Sequence, residues 1–270
     1  MTAGLAAELI VLGLVVGFLA GLLGIGGGML IVPLLAFILR QRGVEPDLAV
    51  KMAIATSMAT IMFTSLSSVR AHHKRGAVRW DLVKGLAPGI LVGGLLAGAG
   101  LFTLLKGAWL ALVFAGFISF SGWQMLRNRR PAPSRQIPGA AGQLGAGAGI
   151  GLLSGLVGAG GGFVSVPFMV WCNVPVHLAV ATSAALGFPI AVANTLGYVV
   201  GGWGLAANLP GAVGYLYLPA LALIALASVT MAPLGARTAH AMDVAQLKRV
   251  FATLLFALAA YMLWMGLSQL

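Results

Sequence analysis

Long apolar stretches, interrupted mainly by glycine and small polar residues, recur along the whole sequence. The pattern predicts ten helical segments. They cover residues 5–23, 28–40, 51–69, 82–104, 108–126, 140–157, 162–172, 178–202, 213–234 and 247–267. These segments lack the polar face, repeating every 3.6 residues, that a helix at the surface of a soluble protein needs. The sequence therefore predicts an all-α, polytopic membrane protein embedded in a lipid bilayer.

An internal repeat divides the chain into two related halves. GFLAGLLGIGGGMLIVP, residues 17–33, matches GLLSGLVGAGGGFVSVP, residues 151–167, with ten of seventeen positions identical. Further along, KMAIATSMA from Lys51 matches HLAVATSAA from His177. We predict a first transmembrane repeat over residues 1–126, a basic linker over residues 127–138 and a second repeat over residues 139–270.

The second segment of each half is too short to cross the ~30 Å hydrocarbon core at about 1.5 Å per residue. It either completes a kinked crossing with the first segment, giving four spans per half, or forms a glycine-tipped hairpin with it, giving five segments. Cytoplasmic loops are enriched in Lys and Arg. An arrangement with five segments per half places twelve of the sixteen Lys and Arg residues on one side of the membrane. An arrangement with four spans per half divides them nine to seven. We prefer five plus five, which makes the second half an inverted repeat of the first.

Composition and charge agree with a membrane location. Sixty per cent of the residues are apolar and 8% are charged, whereas soluble domains contain roughly 25% charged residues. The net charge of +11 comes mostly from short loops and therefore indicates topology, not binding to nucleic acid. We expect a bacterial inner-membrane protein with extracytoplasmic termini and a cytoplasmic linker around Arg129. Whether it forms a homo-oligomer stays open.

Two glycine turns are the main candidates for a binding site. The first glycine turn is GIGGG at residues 24–28, and the second is GAGGG at residues 158–162. Irregular backbone within the membrane is tolerated only inside protein or beside a cavity. The helices that follow would direct N–H groups, with about half a positive charge, at such a cavity. We predict that the turns bind a small anion near the midplane, through Gly26, Gly27, Gly28, Gly160, Gly161 and Gly162, with close helix packing as the alternative.

Paired hydroxyl residues supply a second set of candidates. Thr56 and Ser57 in the first half match Thr182 and Ser183 in the second, and we predict that all four bind substrate. Bonding to their own helices is the alternative. Asn194 joins the set because amides deep within a membrane usually face the bundle interior.

No catalytic or metal chemistry emerges from the pattern. No cluster of His, Cys and carboxylates has the spacing of metal ligands, so neither a metal nor another cofactor is predicted. Ser57 and Ser183 have no base nearby in sequence, which argues against an enzyme.

The duplicated motif GxxxGxxGxGGGxxxVP, with an ATS triplet downstream of each copy, resembles the TauE/SafE family of membrane permeases. The resemblance spans nearly the whole chain. It implies a permease, usually an exporter, for sulfite, sulfonates or related sulfur-containing anions. We therefore expect a secondary transporter for a small anion. An anion channel of the same architecture is the alternative.

Overall fold

The computed structural model describes residues 3–23, 27–127, 135–204, 210–239 and 244–270, and most of these residues are helical. Gly26 and the linker around Arg129 lie outside the described residues. The helices are α1 (Ala3–Leu23), α2 (Gly28–Gln41), α3 (Pro46–Lys74), α4 (Trp80–Leu104), α5 (Gly107–Arg127), α6 (Ala140–Val157), α7 (Gly162–Trp171), α8 (Val176–Gly201), α9 (Leu218–Ala239) and α10 (Val244–Leu267). Helix α4 includes a π-helical stretch, Leu96–Leu101.

Eight helices in the described part of the chain are long and apolar enough to cross a membrane. Helices α2 and α7 contain 14 and 10 residues, which at 1.5 Å per residue gives lengths of about 21 and 15 Å. The prediction of a polytopic all-α membrane protein is confirmed. Helices α3 and α8 carry the largest buried shares, 61% and 56%, so these two form the centre of the bundle.

The predicted start of one helical segment is wrong. The segment 213–234 was expected to be helical throughout, but a short antiparallel hairpin, β1 (Ala212–Val213) and β2 (Leu216–Tyr217), occupies its first residues. Gly211 and Gly214 have φ values of +91° and +57°, which favour a turn over a helix. Helix α9 therefore begins only at Leu218.

The first two helices of each half form hairpins. Arg42, just after α2, bonds Glu8 near the start of α1, with Nη2 2.6 Å from Oε1. The Arg135 N–H, before α6, donates to the carbonyl oxygen of Trp171 at the end of α7, 3.2 Å away. Each short helix therefore returns to the end of the bundle where its partner begins. The hairpin alternative is correct, and the kinked crossing of the four-plus-four arrangement is wrong.

Contacts between halves fix the helix directions. Helices α1 and α9 are parallel, as are α4 and α6, whereas α5 and α10 are antiparallel. The contacting pairs are Gly13–Ile224 and Gly235–Phe18, Gly89–Leu144 and Gly151–Ile90, and Gly122–Ala252 and Gly266–Ala108. Helices α5 and α10 occupy matching positions in the sequence repeat, and they run in opposite directions.

Glycine makes these contacts close. Side chains added at the following glycines would overlap the neighbouring helix: Gly13, Gly17, Gly147, Gly151 and Gly155. Small-xxx-small spacing at these five positions therefore lets the helices approach each other closely.

Both ends of the described chain lie at one end of the bundle. The start of α1 contacts the end of α2 through Glu8 and Arg42. The N–H of Gly107, which begins α5, donates to the Asp47 carboxylate in the first turn of α3. Gly266, near the end of α10, packs against the first turn of α5. The start of α1 and the end of α10 are therefore on the same side.

Candidate functional site

The described end of the first glycine turn meets the second glycine turn between the central helices. A Cβ atom added to Gly28 would lie 2.8 Å from the carbonyl oxygen of Gly158. The Ser57 Oγ of α3 lies 3.2 Å from that oxygen and 3.4 Å from the carbonyl oxygen of Gly28. One buried hydroxyl thus joins backbone from both halves.

The backbone of the second glycine turn requires glycine at two positions. Gly158 ends α6 with φ +68°, and Gly161 precedes α7 with φ +73°. Both values lie in the left-handed region, which other residues rarely adopt. A side chain at Gly161 would also overlap Ile190 of α8. The local sequence therefore permits a tight reversal between α6 and α7.

The first two N–H groups of helix α7 have no hydrogen-bond acceptor among the described residues. The carbonyl oxygen of Gly161 accepts the N–H groups of Val164 and Ser165, at 3.0 and 2.7 Å. The preceding N–H groups, those of Gly162 and Phe163, have no acceptor among the described residues. The first N–H groups of a helix carry its positive end, so this turn can accept a negatively charged group.

A pair of buried serines adjoins these donors. Ser165 Oγ in the first turn of α7 donates to Ser183 Oγ of α8 over 2.7 Å, and the two residues are 0% and 4% exposed. A Cβ on Gly162 would lie 3.5 Å from Ser183 Oγ. The two hydroxyls carry two protons and use one between them, because a hydroxyl has a single proton to donate.

The hydroxyl oxygens of Thr56 and Thr182 each accept a hydrogen bond from a backbone N–H group. The Thr56 Oγ1 accepts the N–H of Tyr217 at 3.0 Å, and the Thr182 Oγ1 accepts the N–H of Arg79 at the same distance. Tyr217 directly precedes α9, and Arg79 directly precedes α4. Each threonine therefore ties one half to the start of a helix in the other. Their predicted substrate contact stays a prediction.

Asn194 lies between α6 and α8. Its Nδ2 donates to the carbonyl oxygens of Ile190 at 2.9 Å and Gly151 at 3.2 Å, while its buried Oδ1 has no partner among the described residues. The Tyr198 hydroxyl nearby donates to the Gly155 carbonyl. These contacts serve helix packing, and none of them is to a residue of the glycine turns.

The remaining candidate glycines make apolar contacts. A Cβ at Gly27 would lie 2.6 Å from Val16 Cγ1, and one at Gly160 would lie 3.2 Å from Ile61 Cγ2. Gly27 also lines a pocket whose other lining side chains cannot donate hydrogen bonds, namely Leu19, Ala20, Met29, Leu30 and Phe251. This pocket is unsuited to a charged substrate.

Two further candidate residues, Ser154 and Ser165, were not predicted from the sequence. Ser154 is 2% exposed, its Oγ has no partner among the described residues, and that oxygen is 3.2 Å from a Cβ built on Gly161. Both serines lie inside the repeated motif, where the first half has Ala20 and Ile31. Reading the repeat for its differences, in addition to its identities, could have found them.

Charged groups lie away from the glycine turns. The described ion pairs are Glu8–Arg42, Asp47–Lys51 and Asp81–Arg79, all close to helix ends. Hydrogen bonding to Asp81 raises the pKa of Arg79, which keeps that guanidinium charged. Within the described ranges, no group of three or more His, Cys, Asp or Glu could hold a metal ion.

Comparison with known proteins identifies relatives over almost the whole chain. The sequence profile of the family described as "Sulfite exporter TauE/SafE" matches residues 9–262. A probable membrane transporter protein of Haemophilus influenzae is 32% identical over 255 residues, covering 94% of this chain and 96% of the relative. One from Methanocaldococcus jannaschii is 28% identical, covering 94% of each chain. No solved structure matches significantly. The family and these relatives are named as exporters or transporters, not as enzymes.

Proposed function

We propose that this chain, which belongs to the sulfite exporter TauE/SafE family, is a carrier that moves a small sulfur-containing oxyanion across the membrane. The chain is a multi-pass membrane transporter, as its family and relatives are named. The choice of an anion rests on one observation. Gly28, at the end of the first glycine turn, meets the second turn, where the N–H groups of Gly162 and Phe163 have no acceptor among the described residues.

The balance of donors and charges supports an anion. An oxyanion only accepts hydrogen bonds, and the N–H groups of Gly162 and Phe163 only donate them. The positive end of the α7 helix dipole adds to the attraction. The described carboxylates lie close to helix ends, so they do not oppose a negative charge at the turn.

A sulfite or sulfonate group fits this arrangement. Its oxygens project in three directions, and the donors around the second glycine turn come from two helices, α7 and α8. The description of the family names sulfite. We infer a substrate with an SO₃ head group.

The arrangement of the halves supports alternating access. The proposed boundaries are a first repeat over residues 1–126 and a second over residues 139–270, joined by the linker 127–138. We infer that they are inverted repeats, and the antiparallel contact between α5 and α10 supports this. A site between two such halves opens to one side at a time when one half rocks against the other. The burial of Ser57 and Ser183, at 0% and 4% exposed, is that expected of a closed site.

We infer that both termini are extracytoplasmic and that the loop between α3 and α4 is cytoplasmic, in a bacterial inner membrane. That loop region carries the cluster Arg70, Lys74, Arg75, Arg79 and Lys84, and cytoplasmic loops are enriched in such residues. Reporter fusions after Leu270 and after Ser134 test the inference. A reporter that requires the cytoplasm and is active after Leu270 would reverse the orientation.

The function itself is tested in proteoliposomes containing the purified protein. We expect sulfite or methanesulfonate flux that saturates with concentration and shows counterflow. Liposomes without protein and liposomes containing a Gly161→Val variant are the controls. Unitary currents without counterflow would identify an anion channel instead. Absence of flux for every sulfur oxyanion in the panel would refute the substrate class.

A further inference from the structure

We infer that the anion binds against the second glycine turn and not equally between the two turns, and that Ser154 and Ser165 determine which anions are accepted. This inference rests on the proposed function of the site. It adds a location and two residues that the sequence motif did not indicate.

Ser154 supplies the first observation. Its residue is 2% exposed, and its Oγ has no hydrogen-bond partner within the described part of the chain. A buried hydroxyl without a partner gives up its hydration with nothing in return, so native structures rarely contain one without a reason. The Oγ is 3.2 Å from the position of a Cβ on Gly161, which places it beside the second glycine turn. An anion bound there would supply the missing acceptor.

The Ser165–Ser183 pair supplies a second, independent observation. Their hydroxyls are 2.7 Å apart and use one of their two protons between them. The other proton is available to an anion that approaches Gly162. Together with Ser154 and the N–H groups of Gly162 and Phe163, four donors surround this turn.

The backbone donors alone do not distinguish the two turns, because the N–H groups of Gly28 and Met29 at the start of α2 also have no acceptor among the described residues. What differs between the two halves is the set of side-chain donors. The positions that match Ser154 and Ser165 are Ala20 and Ile31, which have no hydrogen-bonding side chain. The remaining serine, Ser57, directs its hydroxyl at the carbonyl oxygens of Gly28 and Gly158. Its single proton is committed to the contact between the turns. The side-chain donors available to a ligand are therefore concentrated on the side of the second half.

The donors also specify the charge of the ligand. All four are neutral, and the described basic side chains that form ion pairs lie near helix ends. The cost of burying an ion rises steeply with its charge, so neutral donors suit a monoanion better than a dianion. We therefore assign the site to a monoanionic SO₃ group, as in a sulfonate or hydrogen sulfite.

The first test compares methanesulfonate, a monoanion, with sulfate, a dianion, by calorimetric binding to the purified protein. We expect wild-type protein to bind methanesulfonate at least about 10-fold more tightly. Ser154→Ala should weaken methanesulfonate binding about 10-fold or more, the effect of losing a hydrogen bond to a charged group. Ser165→Ala should weaken it by a smaller but measurable factor, because the Ser165 hydroxyl orients the Ser183 hydroxyl that donates to the anion. Ser121→Ala is the matched control, because Ser121 is also buried but bonds the Phe117 carbonyl of its own helix. Equal effects of all three substitutions, or tighter binding of sulfate, would overturn the inference.

The second test needs no bound substrate. In a Cys172→Ser background, Ser154→Cys and Ala20→Cys variants are exposed in proteoliposomes to a sulfonate-bearing methanethiosulfonate reagent. We expect the cysteine of the Ser154→Cys variant to react and that of the Ala20→Cys variant to stay unlabelled, because the reagent needs a hydrated thiolate. No reaction at position 154, or equal reaction at both positions, would refute the location. Reaction at position 154 in a protein that carries no sulfur oxyanion would refute the proposed substrate while leaving the location intact.

Discussion

Ser57 and Ser183 occupy matching positions on the third helix of each half, α3 and α8. Their hydroxyls nevertheless have different hydrogen-bond partners. Ser57 directs its Oγ at the carbonyl oxygens of Gly28 and Gly158. Ser183 accepts a hydrogen bond from Ser165. The same residue therefore closes the contact between the turns in one half and leaves a donor for a ligand in the other.

The threonine next to each serine behaves symmetrically. Thr56 and Thr182 both accept a backbone N–H from the residue before a helix of the other half, at 3.0 Å in each case. The contacts that hold the halves together are thus duplicated, whereas the polar groups around the turns are not. A duplicated fold preserves its structural contacts in both copies and can specialise its binding groups in one.

The largest effect is expected from Gly161→Val. Its φ of +73° lies in the left-handed region, and a valine side chain would also overlap Ile190. A non-glycine residue in that region costs about 1–3 kcal/mol, and a β-branched residue more. We expect anion flux in proteoliposomes to be lost while the protein still inserts, as judged by size-exclusion chromatography of the solubilised protein.

Gly27→Val is the matched substitution in the first half. A Cβ at Gly27 would overlap the Val16 side chain, at 2.6 Å, which can move, and would make ordinary contacts with Ile31 and Ala20 at 3.7 and 3.8 Å. We expect reduced but measurable flux. Equal loss in both variants would mean that the two turns contribute alike. Normal flux in the Gly161→Val variant would remove the second turn from the site.

Separate substitutions of Ser57 and Ser183 by alanine should distinguish the roles of these two residues. Ser183→Ala removes a hydroxyl from the donor group, and we expect anion affinity to fall roughly 10-fold or more. Ser57→Ala removes the contact between the turns, and we expect lower stability, about 1 kcal/mol, with a smaller change in affinity. Calorimetric titration and thermal unfolding of both variants measure the two effects. A loss of affinity in the Ser57→Ala variant together with a loss of stability in the Ser183→Ala variant would contradict the different roles of the two serines.

The threonines should respond equally. Thr56→Val and Thr182→Val each leave a backbone N–H without its acceptor, at a cost of about 1–3 kcal/mol. We expect both melting temperatures to fall, by about 2–4 °C per kcal/mol, with affinity changed less than about 3-fold. Weaker binding without a change in melting temperature would support the substrate contact predicted from the sequence.

The smallest effect is expected at His177, which matches Lys51 in the repeat. Lys51 is 8% exposed and pairs with Asp47 at 3.3 Å, whereas the His177 side chain is exposed. We expect Lys51→Ala to lower stability and His177→Ala to change stability by less than about 0.5 kcal/mol.

His177→Ala also tests coupling to protons. The described carboxylates lie near helix ends, so we expect flux to follow the anion gradient and the membrane potential, ~2.3 kcal/mol per charge per 100 mV. A pH gradient alone, at clamped potential and with a fully ionised anion, should drive no accumulation. Accumulation that is lost in the His177→Ala variant would make the histidine a coupling site.

Much of the fold was predictable because membrane helices are constrained locally. Residues in hydrocarbon must satisfy their backbone hydrogen bonds within their own helix, so an apolar stretch indicates both the presence and the approximate ends of a helix. The repeat of GIGGG and GAGGG located both turns for a similarly local reason, since glycine permits tight reversals that other residues do not. The hairpin before α9 was missed because its apolar sequence, AVGYLY, resembles the start of a span.

The sequence by itself determined the all-α membrane fold, the two short helices and the position of both glycine turns. Only the tertiary structure decided what the polar side chains contact. Thr56 reaches Tyr217 and Ser57 reaches Gly158, more than 100 positions away in the sequence. The Ser154 hydroxyl has no partner among the described residues. A hydroxyl can bond its own helix, another helix or a ligand at similar free energy, so its sequence neighbours do not determine its partner. Apolar periodicity acts over one helix, whereas hydrogen-bond partners are chosen across the whole bundle.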